Sequence, residues 1–343
     1  MAKILHRYYE IKDYKKTTSI VENAMKKARS VIPQGQVATY IPELGKVDSN
    51  QLGICIYPLT GKKVCLGDYD RRFTIQSISK VMMLVAALEI CGKERVFELT
   101  GAEPSGEAFN SIVELDRENS KPYNPLINSG AIAICGMLTK EISFQDILRY
   151  TRKVCNDADI ILNEEVYDSE IKTCSRNRSI AYLLESKNII NGDVDDILRF
   201  YTKCCSMSVT AESLATMARI LCNDGVGEES TKRYMSASTA RIVKTLMLTC
   251  GMYDGSGTFA INVGIPSKSG VGGGLMSVSD KRAGIGVFGP ALDPKGNSIA
   301  GIQLLKEISN KLTLNLFYDP EWDEPQKESN FADQIMNHHF QSK

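Results

Sequence analysis

Phe73-Thr-Ile-Gln-Ser-Ile-Ser-Lys80, running straight into Val81-Met-Met-Leu-Val-Ala-Ala-Leu88, is the stretch on which the fold turns. Its second half is apolar on every helical face, and such a helix belongs in a core. Gly92 is well placed to end it. The approach to this helix carries Ser77 and Lys80 in S-x-x-K spacing, which sets both side chains on one face within mutual reach. At the start of a buried helix, desolvation and the positive helix terminus both disfavour an ammonium. An ordinary lysine is only ~0.04% neutral at pH 7, whereas a pKa of about 8 makes it roughly 10% neutral, a gain of about 200-fold in available base. The same spacing also describes an N-cap serine followed by a snorkelling lysine. A second copy, Ser169-Glu-Ile-Lys172, lies in a polar stretch where the lysine is solvated and protonated.

A lysine base suits the rest of the chain, because imidazole is scarce. The three histidines are His6, His338 and His339, and positions 7 to 337 contain none. A Ser-His-Asp triad, a Cys-His dyad or a histidine zinc site would need a terminal tail folded into the core. Far downstream, Lys268-Ser-Gly-Val-Gly-Gly-Gly274 is followed by strand patterns rather than a helix, so it does not read as a dinucleotide loop. It reads as an edge strand whose missing side chains let a substrate approach the backbone, with the Val271 and Ser77 N–H groups as an oxyanion pair. Glycines at a plain strand bend would look the same.

Outside these segments, residues 18–30 read as an amphipathic helix ending near Pro33. Leu52–Tyr57 and Val64–Leu66 read as a hairpin about Thr60-Gly-Lys-Lys63. From about 93 to 250 the patterns are mostly helical, with polar breaks near 101–107, 116–125, 163–179 and 223–230. Short β-type runs follow at 259–263, 275–278 and 283–288, the last two joined by a turn at 279–282, and a final helix spans about 299–312. Early and late strands then share one sheet, with terminal helices on one face and a helical insert between. The expected organisation is a discontinuous sheet-plus-helix domain, 1–75 with 251–318, a helical domain, 76–250, and a C-terminal tail, 319–343.

The 343 residues are 43% hydrophobic and 24% charged, with a formal net charge of zero. Nothing in that balance provides a grip on nucleic acid or an anionic membrane. The longest apolar run, Val81–Leu88, falls far short of the roughly 20 residues that span a bilayer. The N-terminus turns polar too soon for a signal peptide, so a cytoplasmic protein is expected. Ten cysteines without C-x-x-C spacing read as reduced, buried thiols rather than a metal cluster.

S-x-x-K at a buried helix start, with K-S-G on a late strand and helices between, resembles the serine β-lactamase and penicillin-binding-protein fold. Within that fold the chain closely resembles the glutaminase family over nearly all of residues 20–310. The matching strings are Ala38-Thr-Tyr-Ile-Pro-Glu-Leu44, residues 73–80, Asn124-Pro-Leu-Ile-Asn-Ser-Gly-Ala-Ile132, Ser169-Glu170 with Arg176-Asn177, Tyr201 ahead of Cys204, Cys250-Gly-Met-Tyr-Asp-Gly-Ser-Gly257 and residues 266–274. The resemblance implies an α/β (α+β) fold of β-lactamase/transpeptidase type, an antiparallel sheet flanked by terminal helices plus an all-helical subdomain. It implies hydrolysis of free L-glutamine to glutamate and ammonia through a γ-glutamyl ester. Ser77 would be the nucleophile, Lys80 its base and Tyr253 the proton relay to the leaving ammonia. Gln76, Asn128, Glu170, Asn177, Tyr201, Ser269 and Val271 would bind the substrate, with Tyr40 at the mouth of the site. Glu170 suits the substrate ammonium, and asparagine amides suit its carboxylate. Read without the resemblance, Glu170 is a solvated loop acid, Asn128 a turn or cap residue, and the two tyrosines half-buried packing residues. Ser129, where the family usually has alanine, and Ser267 are departures that touch no assigned role. No metal or organic cofactor is implied, and a homo-oligomer, dimer or tetramer, is. Rival readings are a β-lactamase or penicillin-binding enzyme, which would need export and a well-placed S-x-N motif, and a binding or scaffold protein without turnover.

Overall fold

The computed structural model describes residues 11, 13–113, 115, 121–228 and 232–318. The tail 319–343, all three histidines, and residues 116–120 and 229–230 of the polar breaks lie outside them. Helix α1 (Tyr14–Arg29) is followed by the hairpin β1 (Gly53–Pro58) and β2 (Val64–Gly67), then β3 (Phe73–Thr74). Next come α2 (Ser79–Ile90), α3 (Lys93–Leu99), α4 (Asn128–Leu138), α5 (Phe144–Cys155), α6 (Glu164–Thr173), α7 (Ser175–Ser186) and α8 (Val194–Cys205). The chain continues through β4 (Ser208–Val209), α9 (Ala211–Cys222), α10 (Ala237–Cys250) and α11 (Ser256–Asn262). It closes with β5 (Ser267–Ser269), β6 (Gly274–Ser279), β7 (Ala283–Phe288) and α12 (Ile299–Leu312).

The sheet runs β2-β1-β7-β6-β5, antiparallel at every step. β1 pairs with β7 from Gly53↔Phe288 to Pro58↔Ala283, so the first and last strands share the centre. On one face α1 and α12 pack through Val21, Ala24, Leu304 and Ile308 onto Ile54, Ile56 and Ile285. Lys27 and Glu307 join the two helices at 2.8 Å. Side chains alternate along a strand, and on the opposite face β7 presents Gly284 and Gly286. A Cβ there would stand 2.1 Å from Arg219 N and 1.9 Å from Ala211 O, both on or beside α9. Only glycine admits a helix that close, and α9 thereby docks the helical block on the sheet. Helix α2 runs through the middle of that block with Val81–Leu88 fully buried, as an all-apolar helix requires.

Several expectations are corrected. Helix α1 begins earlier than the periodicity suggested, because the Asp13 carboxylate accepts the Lys16 N–H at 3.0 Å as an N-cap. Residues 259–263, read as a β-type run, belong largely to α11. Phe259 and Val263 are buried at helical i, i+4 spacing, while Ile261 between them is 83% exposed. Short apolar runs do not discriminate the two periods. The polar break at 163–179 contains α6 and α7. Asn163 caps α6 through the Val166 N–H, and the polar residues form the outer faces. No helix among the described residues is long and apolar enough to cross a membrane.

Candidate active site

Strand β3 pairs with β4, and the Ile75 N–H donates to Met207 O at 2.8 Å, which pins the segment entering the site. Gln76 then takes φ +49°, the left-handed region, and turns the chain into a 3₁₀ turn (Gln76–Ile78) that delivers Ser77 just before α2. For a residue with a Cβ this costs on the order of 1–2 kcal/mol, so its surroundings must hold it. Gln76 Nε2 donates to Thr74 Oγ1 at 3.3 Å and to Glu170 Oε2 at 3.4 Å.

On the other side lies the glycine-rich segment. A Cβ on Gly270 would stand 2.7 Å from Ile75 O, and one on Gly272 2.4 Å from Thr74 O. The missing side chains therefore admit the backbone leading into the Gln76–Ile78 turn, where the sequence suggested room for a substrate. They bring Val271 beside Ser77 along the cleft. Gly272→Ala is expected to destabilise by about 1–3 kcal/mol, since backbone cannot yield cheaply. It should also cut turnover by displacing Ser77 against Val271. Thermal melts and steady-state rates check both, and a wild-type Tm with wild-type rate contradicts the account.

The spacing across the 3₁₀–α junction brings Lys80 Nζ to 3.0 Å from Ser77 Oγ, and Nζ donates to Asn128 Oδ1 at 2.6 Å. Asn128 Nδ2 in turn donates to Asn177 Oδ1 at 2.8 Å, and the Tyr201 hydroxyl donates to Asn128 Oδ1 at 3.4 Å. Lys80 is 1% exposed, and burial lowers its pKa to about 8. Glu170, on α6, is likewise buried. Loss of solvation raises its pKa to about 7, against smaller opposing pulls from Gln76 and Lys80. Burial holds the Tyr253 phenol well above its ordinary value, so it stays a donor.

One cleft of about 80 Å³ gathers Tyr40, Gln76, Ser77, Asn128, Glu170, Asn177, Tyr201 and Val271. Tyr40 is 55% exposed, at the rim. Lys80 lies behind the cleft. Tyr253 lines a roomier, mostly apolar cavity of about 470 Å³ on its far side, which contains no Ser77. Its hydroxyl donates to Ser269 O at 3.2 Å. The Ser269 hydroxyl is fully buried, has no hydrogen-bond partner, and does not line the cleft.

Two contributors carried no sequence assignment. Lys268 is fully buried, donates to Ser269 O at 2.7 Å and sits 4.4 Å over the Tyr253 ring. Burial, and then the nearby Lys80, push it towards the neutral amine. Its place in the K-S-G string was the available signal. Phe109 packs on Tyr253 with ring centroids 4.7 Å apart, and its carbonyl accepts the Asn128 N–H at 2.9 Å. It sits beside a polar break and no local pattern marks it. Among the described residues no cluster of histidine, cysteine, aspartate or glutamate is arranged to hold a metal.

The sequence model of the glutaminase family matches residues 35–317. Glutaminase 2 of Clostridium perfringens is 50% identical over 303 residues, covering 87% of this chain and 99% of that protein. The probable glutaminase from Bacillus subtilis complexed with 6-diazo-5-oxo-L-norleucine superposes with a TM-score of 0.80 at 34% identity, over 91% of this chain and all of the other (100%). A covalent complex of the Bacillus subtilis glutaminase YbgJ with 5-oxo-L-norleucine, formed by reaction with the diazo compound, gives 0.79 at 35% identity, over 87% and 98% of the two chains.

Proposed function

The chain belongs to the glutaminase family, on the β-lactamase-like fold, and from that premise we infer that Ser77 attacks the substrate amide with Lys80 as its base. The reaction is hydrolysis of the L-glutamine side-chain amide to glutamate and ammonia. Lys80 Nζ takes the Ser77 proton, and Oγ bonds to the amide carbon. The oxyanion is met by the Ser77 and Val271 N–H groups. The C–N bond breaks as a proton reaches the nitrogen through Tyr253 or from Lys80, and ammonia leaves. Water then cleaves the γ-glutamyl ester, losing a proton to Lys80 and returning Ser77. A relative that forms a covalent complex from a diazo glutamine analogue supports covalent rather than direct water attack. The observation carrying the reading is the buried Lys80 amine, 3.0 Å from Ser77 Oγ and lowered to about 8 by burial.

Glu170 takes the substrate ammonium, and Asn128 and Asn177 its carboxylate, with Tyr201, Gln76 and Tyr40 completing the site and Ser269, off the cleft, meeting Tyr253 through its carbonyl. A pH series tests this. In the free enzyme Glu170 must lose its proton near 7 and Lys80 near 8, so kcat/KM is expected to rise through both. Bound ammonium lowers Glu170, leaving kcat with the upper step alone. Glu170→Gln should remove the lower step and raise KM at least about tenfold. Ammonia release from glutamine, asparagine and a chromogenic cephalosporin is compared in the same assay. Cephalosporin turnover above glutamine turnover, or a profile complete by pH 6, overturns the assignment.

Within the described residues, 1–75 with 251–318, and 76–250, are taken as two domains. Separate apolar clusters under α1 and α12 and around α2 support the division. A cytoplasmic setting is supported by ten free cysteines. A homo-oligomer, dimer or tetramer, is supported by Ile261 and Phe317, 83% and 76% exposed, on segments joined by the Leu316 N–H to Gly264 O bond.

A further inference from the structure

Tyr253 stands at φ +55°, a left-handed backbone that a tyrosine adopts only when its surroundings impose it. Part of the restraint is local. The Met252 N–H donates to Ser256 Oγ at 3.0 Å, and that hydroxyl donates to Tyr253 O at 2.9 Å. Beyond the contacts of Phe109, Lys268 and Ser269, a further restraint comes from the turn Asp293-Pro-Lys-Gly-Asn297, which links β7 to α12. Asp293 braces this turn, its Oδ1 accepting the Lys295 and Asn297 N–H groups at 2.9 Å each. The turn meets three consecutive residues. Asn297 Nδ2 donates to Met252 O at 3.4 Å, and Lys295 Nζ donates to Asp254 O at 3.1 Å with the Asp254 carboxylate 3.4 Å away. Between them Gly296, at φ +88°, packs against the edge of the ring. A Cβ there would stand 3.6 Å from Tyr253 Cε2 and 3.4 Å from Val271 Cγ1. Asn297 is 2% exposed, and its Oδ1 has no hydrogen-bond partner, so the Nδ2 bond is what its burial secures.

We propose that the 293–297 turn is the positioning element for Tyr253, with Asn297 and Lys295 as positioning residues that hold its phenol against Phe109 and on the Ser269 carbonyl. This rests on the proton-relay reading of Tyr253 given above. A misplaced relay slows transfer to the leaving nitrogen and leaves the ammonium and carboxylate contacts intact. The effect therefore falls on kcat rather than KM.

The test is a double-mutant cycle. Asn297→Ala is expected to lower kcat about tenfold or more, with KM for glutamine within about threefold of wild type. In a Tyr253→Phe background the same substitution should cost less than about twofold, because the hydroxyl it positions is gone. Lys295→Met, at an exposed side chain that does not threaten folding, should repeat the pattern at about threefold and carries the test if Asn297→Ala fails to fold. If Tyr253→Phe is impaired but the Asn297 or Lys295 effect is undiminished in that background, the turn acts by another route and the proposal falls while the relay stands. A wild-type kcat for the turn variants has the same meaning. If Tyr253→Phe turns over at the wild-type rate, relay and proposal fall together.

Discussion

Ser77→Ala should leave a folded protein whose glutamine turnover has dropped by roughly 10⁴- to 10⁶-fold, the range seen when a nucleophile is removed from a cooperating set. In the proposed reaction the Ser77 oxygen is the atom that bonds to the amide carbon, and among the described residues no other serine lines the cleft. Stability should move little. Lys80 keeps its 2.6 Å bond to Asn128 Oδ1, so the amine is not orphaned by losing Oγ. KM is the wrong quantity to follow here; single-turnover ammonia release, together with loss of labelling by a diazo glutamine analogue, reads the step directly. A folded Ser77→Ala protein that retains more than about 1% of the activity means that another atom attacks.

Lys80→Met is expected to cost at least about 10³-fold in kcat, as loss of a positioned base does, and yet not to lower stability at pH 7. The sign follows from linkage. The folded value near 8 lies below the ordinary 10.5, so the folded state resists the proton that the unfolded chain accepts. The penalty, on the order of 3 kcal/mol, is present in full below about pH 8 and disappears as the pH rises to the ordinary value. Methionine fills the space without the charge. Asn128 Oδ1 then keeps only the longer Tyr201 bond, which offsets part of the gain. Melting curves at pH 7 and 10 should show the variant at or above wild type at the lower pH and losing ground at the higher. A fall of several degrees at pH 7 contradicts a strained, desolvated amine.

The sequence made the S-x-x-K helix and the main sheet legible because burial there is written locally. An unbroken apolar run announces α2, alternation announces the hairpin, and α12 matches Ile299–Leu312 residue for residue. What stayed hidden is what depends on distant chain. Glu170 sits in a string of polar residues and becomes a desolvated carboxylate only once α6 closes over Gln76. The role proposed for it, like those proposed for Asn128, Tyr201 and Tyr253, came from the family resemblance rather than from the residues themselves. The left-handed turn at Gln76 has no glycine to mark it. Gly270 and Gly272 showed that something must come close, without showing that Thr74 and Ile75 are what does. Phe109 is defined by a ring it meets from across the site.

Ser77 is supplied before the helical block has been made, and the backbone it faces, at Gly270–Gly272, only after that block is complete. Ribosomal synthesis therefore delivers the attacking group long before its counterpart. Under the proposed mechanism, reactivity waits for the last strands to pair with the first.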